Sequence, residues 1–233
     1  MRELRGILLA VLVCVLPASA RGNGPGSEPA AGSGDCARAV AERVQRHYES
    51  VRDLHARFTQ TTHRVSLGTT GSDAPALRSS GQVTFAKPGR MRWSYEEPEP
   101  SLVVSDGETL WLYDPGLGEA QRLAVGRAFL SGAAIQFLLG EGDLLRDFEV
   151  SARECASSRP DLVLVPRQDA TYERLELRVD AATGEVAETS VVDLFGNRTQ
   201  VSFEQIQTNQ DPPAASFRFE PPPGTRVLAL PGP

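Results

Sequence analysis

The three histidines of the chain, His47, His55 and His63, are the first candidates for chemistry, because imidazole both binds metals and transfers protons. A local metal site usually brings two histidines together at positions i and i+4 of one element. Here each histidine lies eight residues from the next, and the series crosses a predicted helix–strand junction. Local geometry therefore places no two of them on one face, and the sequence predicts no metal site.

Motifs for catalysis are equally weak. No G-x-S-x-G nucleophile elbow occurs in the chain. The acidic pairs Glu96–Glu97 and Glu141 with Asp143 are of the residue type used by glycosidases. Both pairs lie in predicted loops, where solvation of the chain explains them. We predict that the protein is not an enzyme and that it uses no cofactor.

The first twenty residues read as a secretory signal peptide. Arg2 and Arg5 precede an apolar run from Ile7 to Leu16, and small residues lead to a cleavage site after Ala20. The run is shorter than the roughly 20 residues that span a bilayer. Cys14 lies inside this run and follows Leu and Val, whereas lipid-modified cysteines follow small residues. We therefore predict an exported protein without a lipid anchor.

Two cysteines, Cys36 and Cys155, remain in the mature chain. Disulfides persist in oxidising compartments, and both residues are predicted near one edge of a sheet. Distance cannot be judged from sequence, so a disulfide between them and a pair of free thiols both stay open at this point.

Charge and composition exclude some partners. The net charge of −6 becomes −7 when Arg2, Glu3 and Arg5 are removed with the signal peptide. A negative net charge gives the protein no general attraction to nucleic acids or anionic lipid surfaces, because these bind basic patches. Residues 21–34 are rich in Gly, Ala, Pro and Ser and are predicted to be a disordered lead-in. Residues 35–230 are predicted to form a single domain.

The elements that must position any site are mainly β-strands. In the stretch 85–115, Met91, Trp93 and Tyr95 alternate with polar residues, which is the period of a strand with one apolar face. Asp106–Gly107 then predicts a tight hairpin turn. Bulky side chains on one face of a curved sheet suit an apolar ligand. They suit the core of a β-sandwich equally well, so the pattern alone leaves both open.

Elsewhere the pattern predicts two helices, at 37–52 and 127–139, and further strands spaced by turn signals. The total is ten or eleven strands. A single sheet of this size curls to cover its apolar face, and the two helices then fall at its mouth.

Several motifs in order give a specific resemblance. The segment K-P-G-R-M-R-W begins at Lys87, and V-S-D-G-E-T-L-W-L-Y-D-P ends at Pro115. Phe58-Thr59-Gln60 lies before them, and F-R-F-E-P-P-P-G begins at Phe217. Together they resemble the periplasmic outer-membrane lipoprotein carrier family, LolA, over about residues 40–227. The resemblance implies an incomplete antiparallel β-barrel of about eleven strands, with helices forming a lid over an apolar cavity.

The resemblance also implies a function. Family members are periplasmic chaperones that bind the acyl chains of lipoproteins and shuttle them from an inner-membrane transporter to an outer-membrane receptor. The partners expected for this chain are those three, with no nucleic acid and a monomeric state. A second hypothesis is a periplasmic sensor of lipids or lipoproteins that regulates envelope stress. Such sensors share the fold but carry an additional C-terminal domain, which is not predicted after Val227, so the carrier is preferred.

Site residues follow from the pattern and the resemblance together. Lys87 occupies the position of a basic residue that, in the resemblance, could latch the lid by binding carbonyls. Arginine is frequent at this position and offers several donors, whereas lysine offers only a point charge. Arg90 could share the task. Met91 is the best single cavity candidate, because methionine adapts to irregular ligands. The predicted lipid-binding cavity consists of apolar residues from the strands and the second helix: Phe58, Phe85, Met91, Trp93, Leu102, Val104, Leu110, Leu112, Phe129 and Phe137.

Overall fold

The computed structural model describes residues 33–65, 76–124 and 142–229. These residues form twelve β-strands, two α-helices and one 3-10 helix. The helices are α1 (Ser33–Ser50), α2 (Leu144–Asp147) and the 3-10 helix Ala214–Phe217. The strands are β1 (Asp53–His63), β2 (Leu77–Ala86), β3 (Arg90–Glu97), β4 (Ser101–Asp106), β5 (Thr109–Asp114), β6 (Glu119–Ala124), β7 (Phe148–Arg153), β8 (Asp161–Pro166), β9 (Tyr172–Val179), β10 (Val186–Asp193), β11 (Arg198–Thr208) and β12 (Arg226–Ala229).

All twelve strands belong to one open sheet, in the order β12-β6-β5-β4-β3-β2-β1-β11-β10-β9-β8-β7. Neighbours pair antiparallel, except that β12 pairs parallel with β6. The sheet does not close, because β12 and β7 remain at its two edges. The predicted fold class, a mainly β, unclosed antiparallel sheet, is confirmed. The count is twelve where about eleven were predicted.

One face of this sheet carries the main hydrophobic core, and we call it the inner face. The cross-strand series Leu54–Phe85–Met91 and Ala56–Val83–Trp93 both lie on it. On the distant strands β8 and β9 it continues with buried leucines. Apolar side chains of α1, spaced three or four residues apart, pack against the same core. These residues are Ala37, Val40, Ala41, Val44 and Tyr48 of α1, and they are joined by Val51 directly after the helix.

The outer face is covered in part by the C-terminal segment. The 3-10 helix packs on β3 and β4, and its Phe217 is fully buried. Phe219 then contacts the rings of Trp111 and Tyr113 at centroid distances of 5.6 and 5.1 Å. The chain finally adds β12 to the edge of β6. The two phenylalanines of the F-R-F motif therefore anchor the C-terminal segment across the outer face.

Some predictions fall outside the described residues. These are the signal peptide 1–20, most of the lead-in, the second helix, and its residues Phe129 and Phe137. The first helix begins at Ser33, so it includes the last two residues of the predicted lead-in. Among the residues that the structure describes, no helix is both long and apolar enough to cross a bilayer.

Candidate functional site

An aromatic cluster occupies the inner face where β1, β2, β3 and β11 lie side by side. Trp93 is at its centre, with the ring centroids of Phe58, Phe85 and Phe203 at 4.7, 5.7 and 6.4 Å. Tyr95 closes the cluster at 6.4 Å from Trp93. Most of these rings meet at steep angles, the arrangement that aromatic quadrupoles favour. The result is a continuous apolar wall across four strands.

Gly81 makes the densest part of this wall possible. It pairs with Phe58 on one side and with Tyr95 on the other, and the two rings meet over it at 5.1 Å. A Cβ atom at this position would lie 1.9 Å from the carbonyl oxygen of Ser94. Only glycine therefore allows β2 and β3 to approach this closely.

Exposure divides the predicted residues into two groups. Phe58, Phe85, Met91 and Leu110 are sealed in the core, at 2%, 2%, 5% and 1% of their full exposure. The half-buried apolar residues of the inner face remain reachable from outside the core. They are Trp93, Tyr95, Leu112, Val191, Phe203 and Ile206. This second group is therefore the part of the inner face that is not sealed in the core.

Leu102 and Val104 do not lie with the other predicted residues. Side chains of directly paired residues share a face, and Trp93 pairs with Val103, which pairs in turn with Leu112. Because successive residues of a strand alternate between faces, Leu102 and Val104 are on the outer face. Their grouping with the inner wall is corrected: Val104 is buried on the outer side, where the C-terminal segment covers β4. Leu102, Val103 and Val104 are all apolar, so the sequence does not show which of them faces inward.

Five inner-face residues were missed: Val103, Tyr95, Val191, Phe203 and Ile206. Val103 was passed over because its neighbours on both sides are equally apolar. Tyr95 was recognised as part of the alternating strand but was not placed in the site. Phe203 lies on β11, more than a hundred residues from Trp93 in sequence, so only the sheet order could reveal their contact.

The polar group of Tyr95 is satisfied within the wall. Its hydroxyl donates to Oε1 of Gln60, with 3.1 Å between the oxygens. Burial raises the pKa of this tyrosine well above its ordinary value. The hydroxyl therefore stays neutral, and the wall presents no charge from Tyr95 to an apolar ligand.

Lys87 binds the end of α1. Its Nζ donates to the carbonyl oxygen of Tyr48, in the last turn of the helix, at 2.6 Å. A cation suits this place, because the last carbonyls of a helix carry partial negative charge; the same oxygen also accepts the N–H of Val51 at 3.3 Å. Burial lowers the pKa of Lys87, while the nearby Glu49 raises it. Arg90 does not reach the helix: it donates to the carbonyl of Lys87 at 2.9 Å and lies over the ring of Phe217.

Helix α1 is fastened at several further points. Cys36 in its first turn is joined to Cys155 by a disulfide, with 6.2 Å between the Cα atoms. Tyr48 accepts a hydrogen bond from the backbone N–H of Val186 at 3.2 Å. Arg43 donates to the carbonyl of Ala181 in the turn between β9 and β10. The sequence left disulfide and free thiols open, and the structure forms the disulfide.

The histidines take separate positions. His47 is in α1, and His63 ends β1. His55 faces outward, with its Nδ1 3.0 Å from Oγ1 of Thr84, and it lines a pocket of about 380 Å³ together with Arg92. Across the described ranges, no group of three or more potential metal ligands occurs.

The open antiparallel sheet, the half-buried aromatic wall and the helix packed on the same face together offer a surface suited to apolar ligands. Comparison with known proteins agrees. The family described as "Outer membrane lipoprotein carrier protein LolA" matches residues 49–220. The chain belongs to this family.

Individual relatives give the same result. The chain is 33% identical over 180 residues to an outer-membrane lipoprotein carrier protein of Methylibium petroleiphilum, covering 77% of this chain and 84% of that protein. It is 31% identical over 190 residues to the protein of the same name from Dechloromonas aromatica, covering 81% and 87%. An uncharacterized conserved protein from Thermus thermophilus shares the fold, with a TM-score of 0.51 at 12% identity, covering 83% of this chain and 99% of that one.

Proposed function

We propose that this protein carries lipoproteins through the periplasm, by covering their acyl chains with the inner face of its sheet. It would receive them from an inner-membrane releasing transporter and pass them to an outer-membrane receptor, after export and cleavage behind Ala20. The observation that supports this most directly is the half-buried aromatic wall around Trp93. Membership of the lipoprotein carrier family supports the same cargo.

The physical need for such a carrier is large. Each acyl methylene exposed to water costs about 0.8 kcal/mol, so a multiply acylated protein does not cross an aqueous space uncovered. The half-buried residues of the wall offer replacement contacts without requiring the sealed core to open. Binding by apolar contact alone is also reversible, because no covalent step or charge pair must be undone on release.

In this proposal, Trp93, Leu112 and Phe203 contact the acyl chains directly. Phe58, Phe85 and Met91 support them from the core. The fully buried group gives the wall its rigidity, since side chains packed at core density cannot move independently. The half-buried group supplies the surface that cargo covers.

The binding experiment uses a purified triacylated lipoprotein and its unacylated form, in which the lipid-bearing cysteine is replaced by serine. Mixed with the carrier and diluted from detergent, the acylated form should remain in solution as a one-to-one complex. The unacylated form should not bind. Binding of both forms, or precipitation of the acylated form despite the carrier, would contradict the proposal.

We further propose that Lys87 latches α1 against the sheet. Lys87→Met keeps most of the side-chain volume and removes the charge, leaving the Tyr48 carbonyl without this donor. The half-exposed contact should contribute about 1 kcal/mol, so hydrogen exchange in the last turn of α1 should accelerate about fivefold.

Lys87→Arg restores a donor and should return exchange toward the parent rate. Arg92→Gln is the matched control, because Arg92 lies on the outer face and donates to the carbonyl of Ser216 at 3.2 Å. If the last turn of α1 exchanges hydrogen at the same rate in Lys87→Met and in the parent, Lys87 does not latch the helix.

A further inference from the structure

We propose that the cavity between the outer face of the sheet and the C-terminal segment binds a small zwitterion, such as a free amino acid or a dipeptide. The cavity has a volume of about 380 Å³, which is within the range of small-molecule sites. It is separate from the aromatic wall, because the wall is on the inner face. Its lining residues come from the strands and from the C-terminal segment: Asp53, His55, Thr84, Arg92, Gln207, Gln210, Pro212 and Ser216.

Four polar side chains form the floor of this cavity, in one row across the sheet. Gln207 on β11 pairs with His55 on β1, and His55 pairs on its other side with Thr84 on β2. Thr84 pairs in turn with Arg92 on β3. Directly paired residues share a face, so the row places hydrogen-bonding groups side by side over four strands of the outer face.

Arg92 brings a positive charge to the cavity without a carboxylate partner. It is half-buried, and its Nη1 donates to the carbonyl oxygen of Ser216 at 3.2 Å. It forms no ion pair with any residue in the described ranges. A guanidinium has several N–H donors in a planar fork that matches a carboxylate. Most of the donors of Arg92 are therefore available to a ligand.

Asp53 brings the opposite charge to the same cavity. It is 5% exposed, and its two carboxylate oxygens accept the N–H groups of Gln210 and Asp211 at 2.7 and 3.2 Å. A carboxylate has about four lone-pair sites, so it can accept further donors. Within the part of the chain that the structure describes, Asp53 has no cationic partner. Asp53 and Arg92 thus line one cavity without pairing with each other.

A ligand that carries both a carboxylate and an ammonium group supplies both missing partners. In the register, Asp53 is level with Ala86, and Arg92 is two strands and two residues away from Asp53. From the strand spacing and the rise per residue, their Cα atoms are about 12 Å apart. The two side chains extend into this gap, and an amino acid or a dipeptide spans the remainder. An anion alone would lie beside Asp53 without a cation for it, and a cation alone would leave Arg92 without a partner.

The surroundings of the cavity favour neither charge. Charged residues near its walls occur with a neighbour of opposite sign, so they add no large net charge to the site. They are Arg52 with Asp211 at 3.5 Å, Arg57 with Glu96 at 3.3 Å, Arg90 opposite Asp106 in the register, and the exposed Glu204 and Arg218.

The cavity is preformed, because the loop that begins the C-terminal segment is fixed. Asn209 and Asp211 have positive φ angles of 58° and 51°, which asparagine and aspartate tolerate better than most residues. The N–H of Asn209 donates to the backbone carbonyl of Asp53 at 3.0 Å. Its Oδ1 accepts the N–H of Arg52 at 2.8 Å. The loop is therefore fastened to the start of β1, and a ligand does not have to order it on binding.

The experiment measures binding to the whole mature protein, without cargo, by the amide shifts in its proton–nitrogen NMR spectrum. The zwitterionic probes are alanine and alanylalanine. Two derivatives of alanylalanine each lack one charge: N-acetylation removes the ammonium group, and C-terminal amidation removes the carboxylate. We expect the zwitterions to shift the signals of Gln207, Gln210 and Asp211. Each derivative should bind about tenfold more weakly, because one charge-assisted hydrogen bond is lost.

Variants of the two charged residues assign each contact. Arg92→Gln keeps a donor for the Ser216 carbonyl and should weaken alanylalanine about tenfold, with no further loss for its amide. Asp53→Asn should act in the same way toward the N-acetyl form. Arg218→Gln is the matched control, because Arg218 is exposed in the same segment and does not line the cavity. Melting curves show whether each variant is folded, and if Asp53→Asn is not, Arg92→Gln and the two derivatives decide.

Failure of both zwitterions to bind at about 10 mM would overturn the proposal. Equal binding of alanylalanine and its two derivatives would also overturn it, as would shifts confined to residues outside the cavity. An equal loss of affinity in Arg92→Gln and Arg218→Gln would do the same. Because no lipoprotein is present in these measurements, none of these outcomes decides the carrier function.

Discussion

Met91→Glu is expected to remove much of the protein's stability, whereas Leu112→Glu should leave the protein folded and remove its ability to hold acyl chains. Both residues lie on the inner face. Met91 on β3 is level with Leu110 on β5, and Leu112 is two residues further along β5. Met91 is 5% exposed in the core cluster, so a glutamate there is buried without a cation. An unpaired buried charge costs several kcal/mol, against a total stability of about 5–15 kcal/mol.

Leu112 differs because it is half-buried. A glutamate at this position can turn its carboxylate toward water in the free protein, so the melting temperature should fall by only a few degrees. Bound cargo would cover that carboxylate. Either the acid takes up a proton or affinity falls, and we expect at least a tenfold loss of lipoprotein binding at neutral pH.

The register offers a matched control in Leu102→Glu. Leu102 is half-buried like Leu112 but lies on the outer face of the adjacent strand. Its replacement should cost similar stability and leave binding unchanged. Melting curves and binding to the triacylated lipoprotein decide the matter. Loss of binding in Leu102→Glu but not in Leu112→Glu would place the cargo on the other face.

Loss of the disulfide has the second largest expected effect. Cys36 and Cys155 are 119 residues apart in sequence. A loop of this length contributes about 4–5 kcal/mol on the chain-entropy model. The double variant Cys36→Ser with Cys155→Ser should therefore melt about 10 °C lower, at about 2–4 °C per kcal/mol for a protein of this size.

The remaining contacts of α1 predict which part of the helix becomes less stable when the disulfide is removed. Lys87 and Val186 hold the second half of the helix, whereas the disulfide holds its first turn. Hydrogen exchange should therefore rise most in residues 33–40 and least near Tyr48. Alkylation under denaturing conditions counts free thiols in the parent, and two free thiols per chain would show that the bridge is absent from the purified protein.

The class of fold followed from local information. Alternation in β3, the Asp106–Gly107 turn and the apolar spacing of α1 are each set by neighbours within a few residues, so the sequence alone predicted the strands and the helix. The order of the K-P-G-R-M-R-W and V-S-D-G motifs also carried the family. Lys87 was singled out by the same motif as a residue that could bind carbonyls at a helix end.

The membership of the site depended on the tertiary structure. Leu102, Val103 and Val104 are all apolar, so local periodicity could not say which of them faces Trp93, and a shift of one residue reverses every face. Phe203 joins the wall because β11 pairs with β1, a choice made by packing across the whole sheet. The disulfide likewise required two distant elements to come within 6.2 Å. Sequence by itself determined which residues were apolar and in which elements they lay. The pairing of strands decided which of them became core, which stayed half-buried on the inner face, and which were covered on the outer face.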